Sequence, residues 1–446
     1  MPVRLIESLA TTEPLAALFS DHSILGAMLG FEAALARAEA RVGVIPAAAA
    51  EAIAKAARPE TFDAAELSRQ ALRAGTLSIP LVKALTAAVR AADAASARFV
   101  HWGATSQDVS DTAIVVLLAR AAPILAADHQ ALAGALRRLS EAHAQTVMLG
   151  RTLLQPAPPV TFGLKTAGWL AAIERSGRRM HTAFEDASVL QFGGASGTLA
   201  AVGDRGIQVS EELAKELGLQ NPPAPWHAHR DRLAALVCAC GVYAGSLAKM
   251  ARDVALLMQE EVSEASEPGG DGRGGSSTMP HKRNPMACAV ALAAANHVPG
   301  SVASFLHGMA QEHERGVGGW QAEWTTLASV IQATGLAAAS MREVADGLTV
   351  DAARMRANIE ATHGVIFAER AMMLLGAKLG RDRAHELLHE MTRQALESGR
   401  RLAEIVREQP EAAGALSREE IDTLDAPEHY LGSAEAFRKR LLETKT

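Results

Sequence analysis

Hydrophobic positions recur at three- and four-residue spacing through residues 107–147, 160–187, 229–264, 286–312 and 320–346. That spacing gathers apolar side chains on one face of an α-helix and predicts five long helices. Such helices gain most of their stability from packing, so five of them predict an extended bundle. Pro123 falls inside the first stretch and is expected to kink or split it, because proline removes a backbone donor and crowds the preceding turn. Upstream, Gly43, Pro46, Pro59, Gly75 and Pro80 break the pattern into short helices, and after about Asp351 the segments shorten again. The expected organisation is an N-terminal helical domain at 1–105, a central long-helix bundle at 106–350 and a small C-terminal helical domain at 351–446. Several long helices are alanine-rich on more than one face. Helices apolar most of the way round seek burial on all sides, so several subunits are expected to pool their bundles.

Composition sharpens this to an all-α class. Aromatics are only 4% of the 446 residues, while the strong helix formers Ala, Leu, Glu and Arg dominate long segments. With 49% hydrophobic and 21% charged residues the chain is far too apolar for a disordered one. The net charge of -6 argues against a nucleic-acid partner. Charges or glycines interrupt the long apolar runs, so no membrane span is expected. The opening MPVRLIESLATTEPL meets acidic residues too early for a signal peptide. Three cysteines cannot build a disulfide framework, and the cytoplasm is the expected compartment.

Four segments carry candidate chemistry. In Gly269–Pro285, five of the first seven residues are glycine, and the run stiffens at Pro280 and Pro285. Asn284 followed by Pro285 suits the start of the next helix. The arm brings Ser276 and Ser277 beside Lys282 and Arg283, as a lid over an anion would. A plain solvated linker has the same composition. No Gly-Lys-Ser/Thr follows the glycines and no strand precedes them, so neither a P-loop nor a dinucleotide fingerprint fits. His101–Asp108 offers Thr105 or Ser106 as a helix cap, with Asp108 completing a capping-box pattern, or as hydroxyls that hold a carboxylate. Gly150–Pro159 carries three prolines and reads as a rigid loop that fixes Thr152 and Gln155. His313–Trp320 sets Arg315 beside a glycine-rich turn, where a guanidinium suits carboxylate binding. His227 and His229 lack zinc spacing and belong at a helix start; Cys238, Cys240 and Cys288 read as small buried hydrophobes.

Together these segments resemble the fumarase/aspartase superfamily. Gly275–Pro285 is similar to its signature loop, and the Thr105–Ser106 and Gly150–Thr152 segments resemble its other two signature regions, in the same order. The resemblance implies a homotetramer with a 20-helix core and active sites shared by three subunits. It implies Ser276 as catalytic base alpha to a carboxylate. Lys282 and Asn284 would bind substrate carboxylate and steady an aci-carboxylate intermediate. Thr105, Ser106, Thr152, Gln155 and Leu153 would line the site, with Arg315, His101 and Arg151 as further counter-charge. The substrate would be a small polycarboxylate, and no metal or organic cofactor is implied.

Two departures bear on the reaction. Many lyases of this superfamily carry a histidine after Gly-Arg-Thr, paired with a glutamate; here those positions are Leu153 and Ala289. Expulsion of hydroxide or an amine needs a proton donor, whereas a carboxylate with pKa near roughly 4 leaves unaided. The missing pair, with Phe19–Asp21, Gly318–Trp324 and Leu431–Ala434, resembles the cycloisomerase branch of the superfamily in bacterial aromatic degradation. A sulfonated substrate analogue, an adenylosuccinate-type C–N lyase and a crystallin-like structural role stay open.

Overall fold

The structure is a computed structural model that describes residues 5–269, 274, 279 and 282–443. Helix makes up 71% of it, as the all-α expectation required. Helix α1 spans Asp21–Val42; Ser20 accepts the Ser23 N–H at its start and Gly43, with φ 82°, ends it. The five long predicted stretches are α2 (Ser106–Ala142), α3 (Phe162–Ala187), α4 (Asp231–Leu257), α5 (Met286–Gly308) and α6 (Gly319–Gly347). Helix α2 runs unbroken through Pro123, because a lost backbone bond is outweighed by burial of Ala121 and Leu125 around it.

Two sequence expectations are corrected. The proline-rich segment after residue 147 is a β-hairpin, β1 (Val147–Thr152) against β2 (Gln155–Thr161), with a register irregularity between Leu149 and Gly150. Its prolines lie on a strand of a two-stranded sheet, where a missing ladder donor is tolerated. The second concerns membranes. Helices α2, α4 and α5 are each long and apolar enough, by length and composition, to cross one. Alanine is apolar, and the charges are spaced more widely along these helices than the expectation allowed. The apolar stretch is 67% buried within the chain in α2 but only 28% in α5.

The chain divides into two compact units. The first comprises Met1–Gln130, Ser176–Ala248 and Val290–Ser340. Phe31, Leu35, Leu85, Val109, Leu117, Phe192 and Leu213 build its core. On α1 the buried face also carries Glu32 and Glu39. The second unit comprises Ala131–Arg175, Lys249–Ala289 and Met341–Thr446. One of its clusters packs Leu375, Met391, Val406 and Leu424. Another packs Val147 and Leu149 of the hairpin against Ile359 and Phe367, which seats the hairpin.

Gly163 fixes where the hairpin hands over to α3. Its N–H donates to the His143 carbonyl at 2.9 Å, and its own carbonyl accepts the Ser140 hydroxyl at 2.8 Å. A Cβ there would sit 2.7 Å from Ala144 Cα and from the Ser140 carbonyl oxygen, backbone atoms that cannot swing aside. Gly163→Ala should lower unfolding free energy by about 1–3 kcal/mol in urea titrations. Gly168→Ala, whose Cβ would meet no atom within 4 Å, should be neutral or slightly stabilising.

Candidate active site

Asp108 is buried in the first turn of α2. Its Oδ2 accepts the Thr105 N–H at 3.1 Å, the return half of the predicted capping box. The same carboxylate accepts the Gly193 N–H at 3.0 Å, the Gly194 N–H at 2.9 Å and His227 Nε2 at 2.7 Å. One buried anion thus ties the helix start to the Gly193–Gly194 turn. Arg315 closes the arrangement: it donates to Thr105 Oγ1 at 2.6 Å, to the Gly194 carbonyl at 2.7 Å and to the Ala195 carbonyl at 2.8 Å. Its Nε is buried without a partner. Among the described residues no carboxylate pairs with Arg315, so its charge rests on neutral oxygens. Ser106 opens α2, and its carbonyl accepts the Ser78 hydroxyl at 2.9 Å. His101 sits in the same turn in the left-handed region, φ 60°, with Nδ1 2.6 Å from the buried Glu32 Oε1. The first unit therefore gathers His101, Thr105, Ser106 and Arg315.

Beneath them lies a buried network that the sequence reading missed. Asp111 accepts both terminal nitrogens of Arg230, at 2.7 and 3.0 Å, and the Trp320 indole N–H at 2.9 Å. Gln107 and Gln191 donate to it as well. Arg230 reaches Glu323 through Nε and at 2.5 Å through Nη2, and Gln311 donates to Glu323 at 2.8 Å. His227, read as an ordinary helix-start residue, is buried and joins through Asp108. Two carboxylates one turn apart, Asp108 and Asp111, on the apolar side of a helix were the available signal, since neither survives burial unpaired. Burial pushes the Glu323 carboxyl up to about 7, against the pull of Arg230.

The second unit holds the other candidates. Thr152 and Gln155 are the closing pair of the hairpin. Leu153 and Leu154 form its tip, both left-handed (φ 51° and 66°) and exposed, Leu153 by 96%. Tips of this shape favour Asn-Gly, so two leucines hold strain there. Arg151 is held bidentately by buried Glu264, at 2.9 and 2.7 Å, and Asn358 donates to the same carboxylate.

Of the glycine-rich arm, Ser276, Ser277, Thr278, Pro280 and His281 lie outside the described residues. Lys282 is exposed, its N–H on the Met279 carbonyl. The Asn284 N–H donates to the Gly274 carbonyl at 2.9 Å. Gly274 has φ 64°, and a Cβ there would meet the Asn284 carbonyl oxygen at 2.9 Å, so this pinch requires glycine. The expectation that Asn284 caps α5 is corrected: Glu267, from before the arm, accepts the Ala287 and Cys288 N–H groups at 3.0 and 2.6 Å. A side chain of the protein, rather than a ligand anion, satisfies that helix start. Burial, with Glu267 beside it, pushes the Cys288 thiol up, which makes it unreactive.

Comparison with known proteins matches residues 8–300 to a family described as lyase and residues 364–441 to one described as adenylosuccinate lyase C-terminus. The 3-carboxy-cis,cis-muconate cycloisomerase of Bradyrhizobium diazoefficiens is 48% identical over 99% of this chain and 98% of its own. The enzyme of that name from Pseudomonas aeruginosa is 47% identical over 98% and 96%. Among solved structures, the 3-carboxy-cis,cis-muconate lactonizing enzyme from Pseudomonas putida superimposes with a TM-score of 0.92, at 43% identity, over 99% of this chain and 98% of its own.

Glu323 gives the buried network a pH signature. Its carboxyl ionises near 4.5 when unfolded and near 7 when folded, so the folded state holds the proton longer. The contribution of Glu323 to stability should therefore decline as pH rises from about 4.5 to about 7 and then level off. Urea midpoints measured across that window check this, and Glu323→Gln should flatten the decline.

Proposed function

The chain belongs to the lyase family of the fumarase/aspartase superfamily, and we propose that within it the protein is an intramolecular lyase interconverting 3-carboxy-cis,cis-muconate and 4-carboxymuconolactone. In the closing direction one substrate carboxylate attacks the distal double bond. Negative charge develops on the carbon alpha to a neighbouring carboxylate and spreads onto that carboxylate. Lys282 and Asn284 hold the resulting aci-carboxylate, and Ser276 delivers the proton to carbon. In the opening direction Ser276 removes that proton and the ring carboxylate leaves. Serine is a weak base unless its alkoxide is stabilised, and Lys282 with nearby backbone donors would do so.

The observation that carries this reading is the hairpin tip. Leu153 projects into solvent where a relative with an amine or hydroxide leaving group would need an acid, and it has nothing to donate. Opening a lactone requires no such donor. Arg315, with no carboxylate partner among the described residues, supports a polyanionic substrate, with Thr105, Ser106, Thr152, Gln155 and His101 as further contacts. The thinly buried apolar stretch of α5, where Met286, Val290 and Leu306 are exposed, supports assembly into a homotetramer that pools its helices and shares each site among three subunits.

Purified protein should turn over 3-carboxy-cis,cis-muconate, followed by loss of its conjugated absorbance. Turnover of adenylosuccinate or of the 4-sulfo analogue, with none of the tricarboxylate, sinks the assignment. Ser276→Ala should cut kcat by about 10²- to 10⁴-fold, the usual contribution of a positioned proton-transfer group. Leu153→His should bring no gain in lactonisation rate; a clear gain would defeat the leaving-group argument.

A further inference from the structure

The His–Glu pair absent at positions 153 and 289 has a counterpart elsewhere in the chain. His101 Nδ1 lies 2.6 Å from Glu32 Oε1, and the Glu32 side chain is fully enclosed while the His101 side chain still reaches solvent. Glu32 Oε2 is buried with no partner, so the imidazole is the bond that carboxylate makes among the described residues. Among the described residues no hydrogen bond reaches His101 Nε2, and the side chain is 18% exposed. The backbone at His101 is left-handed, a conformation a side-chain-bearing residue holds only when its surroundings enforce it. Four residues on, Thr105 carries the Arg315 guanidinium.

We propose that Glu32 is a positioning residue that holds His101 as an imidazolium, with Nε2–H turned outward as a cationic contact for a substrate carboxylate beside Arg315. The proposal rests on the polycarboxylate reading above and adds a charge and a residue to it. An enclosed carboxylate facing one ring nitrogen fixes the ring and favours the doubly protonated form, leaving the other N–H to donate. Among the described residues the charged groups acting on the ring are Glu32 from α1 and Asp108 from α2. Burial pulls the His101 pKa down, and Glu32 and then Asp108 more than restore it, so the net shift is upward. Glu39, seven residues along α1, does not compete: burial and the Glu32 charge push its carboxyl up to about 9, which keeps it neutral.

Diethyl pyrocarbonate, which acylates neutral imidazole, reads the charge state without turnover. Modification of His101 in the intact protein, followed by peptide mass spectrometry between pH 6 and 8, should be slow at the acid end. In Glu32→Gln, an isosteric change, it should be several-fold faster there. Tricarballylate, an unreactive tricarboxylate, should protect His101. In steady-state assays Glu32→Gln should raise KM by about tenfold, the scale of one charge-assisted hydrogen bond, with kcat within about twofold. The alkaline rise of KM should begin at lower pH. Unchanged His101 modification in a folded Glu32→Gln protein overturns the inference while leaving the cycloisomerase reading intact. Faster modification without protection by tricarballylate overturns the carboxylate contact. Absence of any muconate turnover, with His101 behaving as described, tells instead against the reading beneath it.

Discussion

A carboxylate buried in the first turn of a helix has to be satisfied, and at Asp108 that requirement organises the first unit. Removing such a group from water costs several kcal/mol unless hydrogen bonds and a counter-charge replace the lost hydration. Asp108 obtains them from two glycine N–H groups, the Thr105 N–H and His227. The donors come from three separate stretches of chain, so meeting the requirement also fixes the Gly193–Gly194 turn and the start of α2. The Gly194 and Ala195 carbonyls, held in place by that turn, then receive Arg315. The guanidinium is positioned by neutral oxygens that orient it without spending its charge.

The same economy recurs one turn along. Asp111 and Glu323 share Arg230, and the arginine stacks over the Trp226 ring at 4.7 Å. Burial, with the neighbouring Asp111 charge adding to it, outweighs the pull of the shared arginine, which is why the Glu323 carboxyl moves upward. The cations of the candidate site and its surroundings differ in how they are held. Arg230 and Arg151 are neutralised by enclosed carboxylates and hold structure together. Among the described residues Arg315 is held without an acid, and the polycarboxylate proposed for the site would supply the missing charge. His101 is an intermediate case, paired on one nitrogen and open on the other.

The hairpin expresses a different constraint. Its strands are anchored by Val147 and Leu149 on Ile359 and Phe367, and Gly163 sets its exit. A rigid base lets the tip carry two left-handed leucines that would relax in a free loop. Strain and exposure fall on the same two residues, and the proposed sharing of sites between subunits would give the tip a role outside its own protomer.

The long helices were legible in the sequence because their apolar period is repeated over many turns and no local competitor interrupts it. The family was legible because Gly275–Pro285 is long and unusual. The hairpin was not, since prolines suggest a loop unless it is known that they sit on an edge. Nor was the apolarity of α2, α4 and α5 judged correctly, because widely spaced charges look more disruptive in a linear string than on a helix surface. Glu267 as the cap of α5 and Glu32 as the partner of His101 were invisible for a simpler reason. Each acts on a partner distant in sequence, 20 and 69 residues away, and hydrogen bonds at such separations are decided only when helices have packed. The sequence by itself determined the helical class, the superfamily and the absence of a histidine acid at position 153. Tertiary structure decided which charges are neutralised and which are left available, because that depends on what each buried carboxylate meets in space.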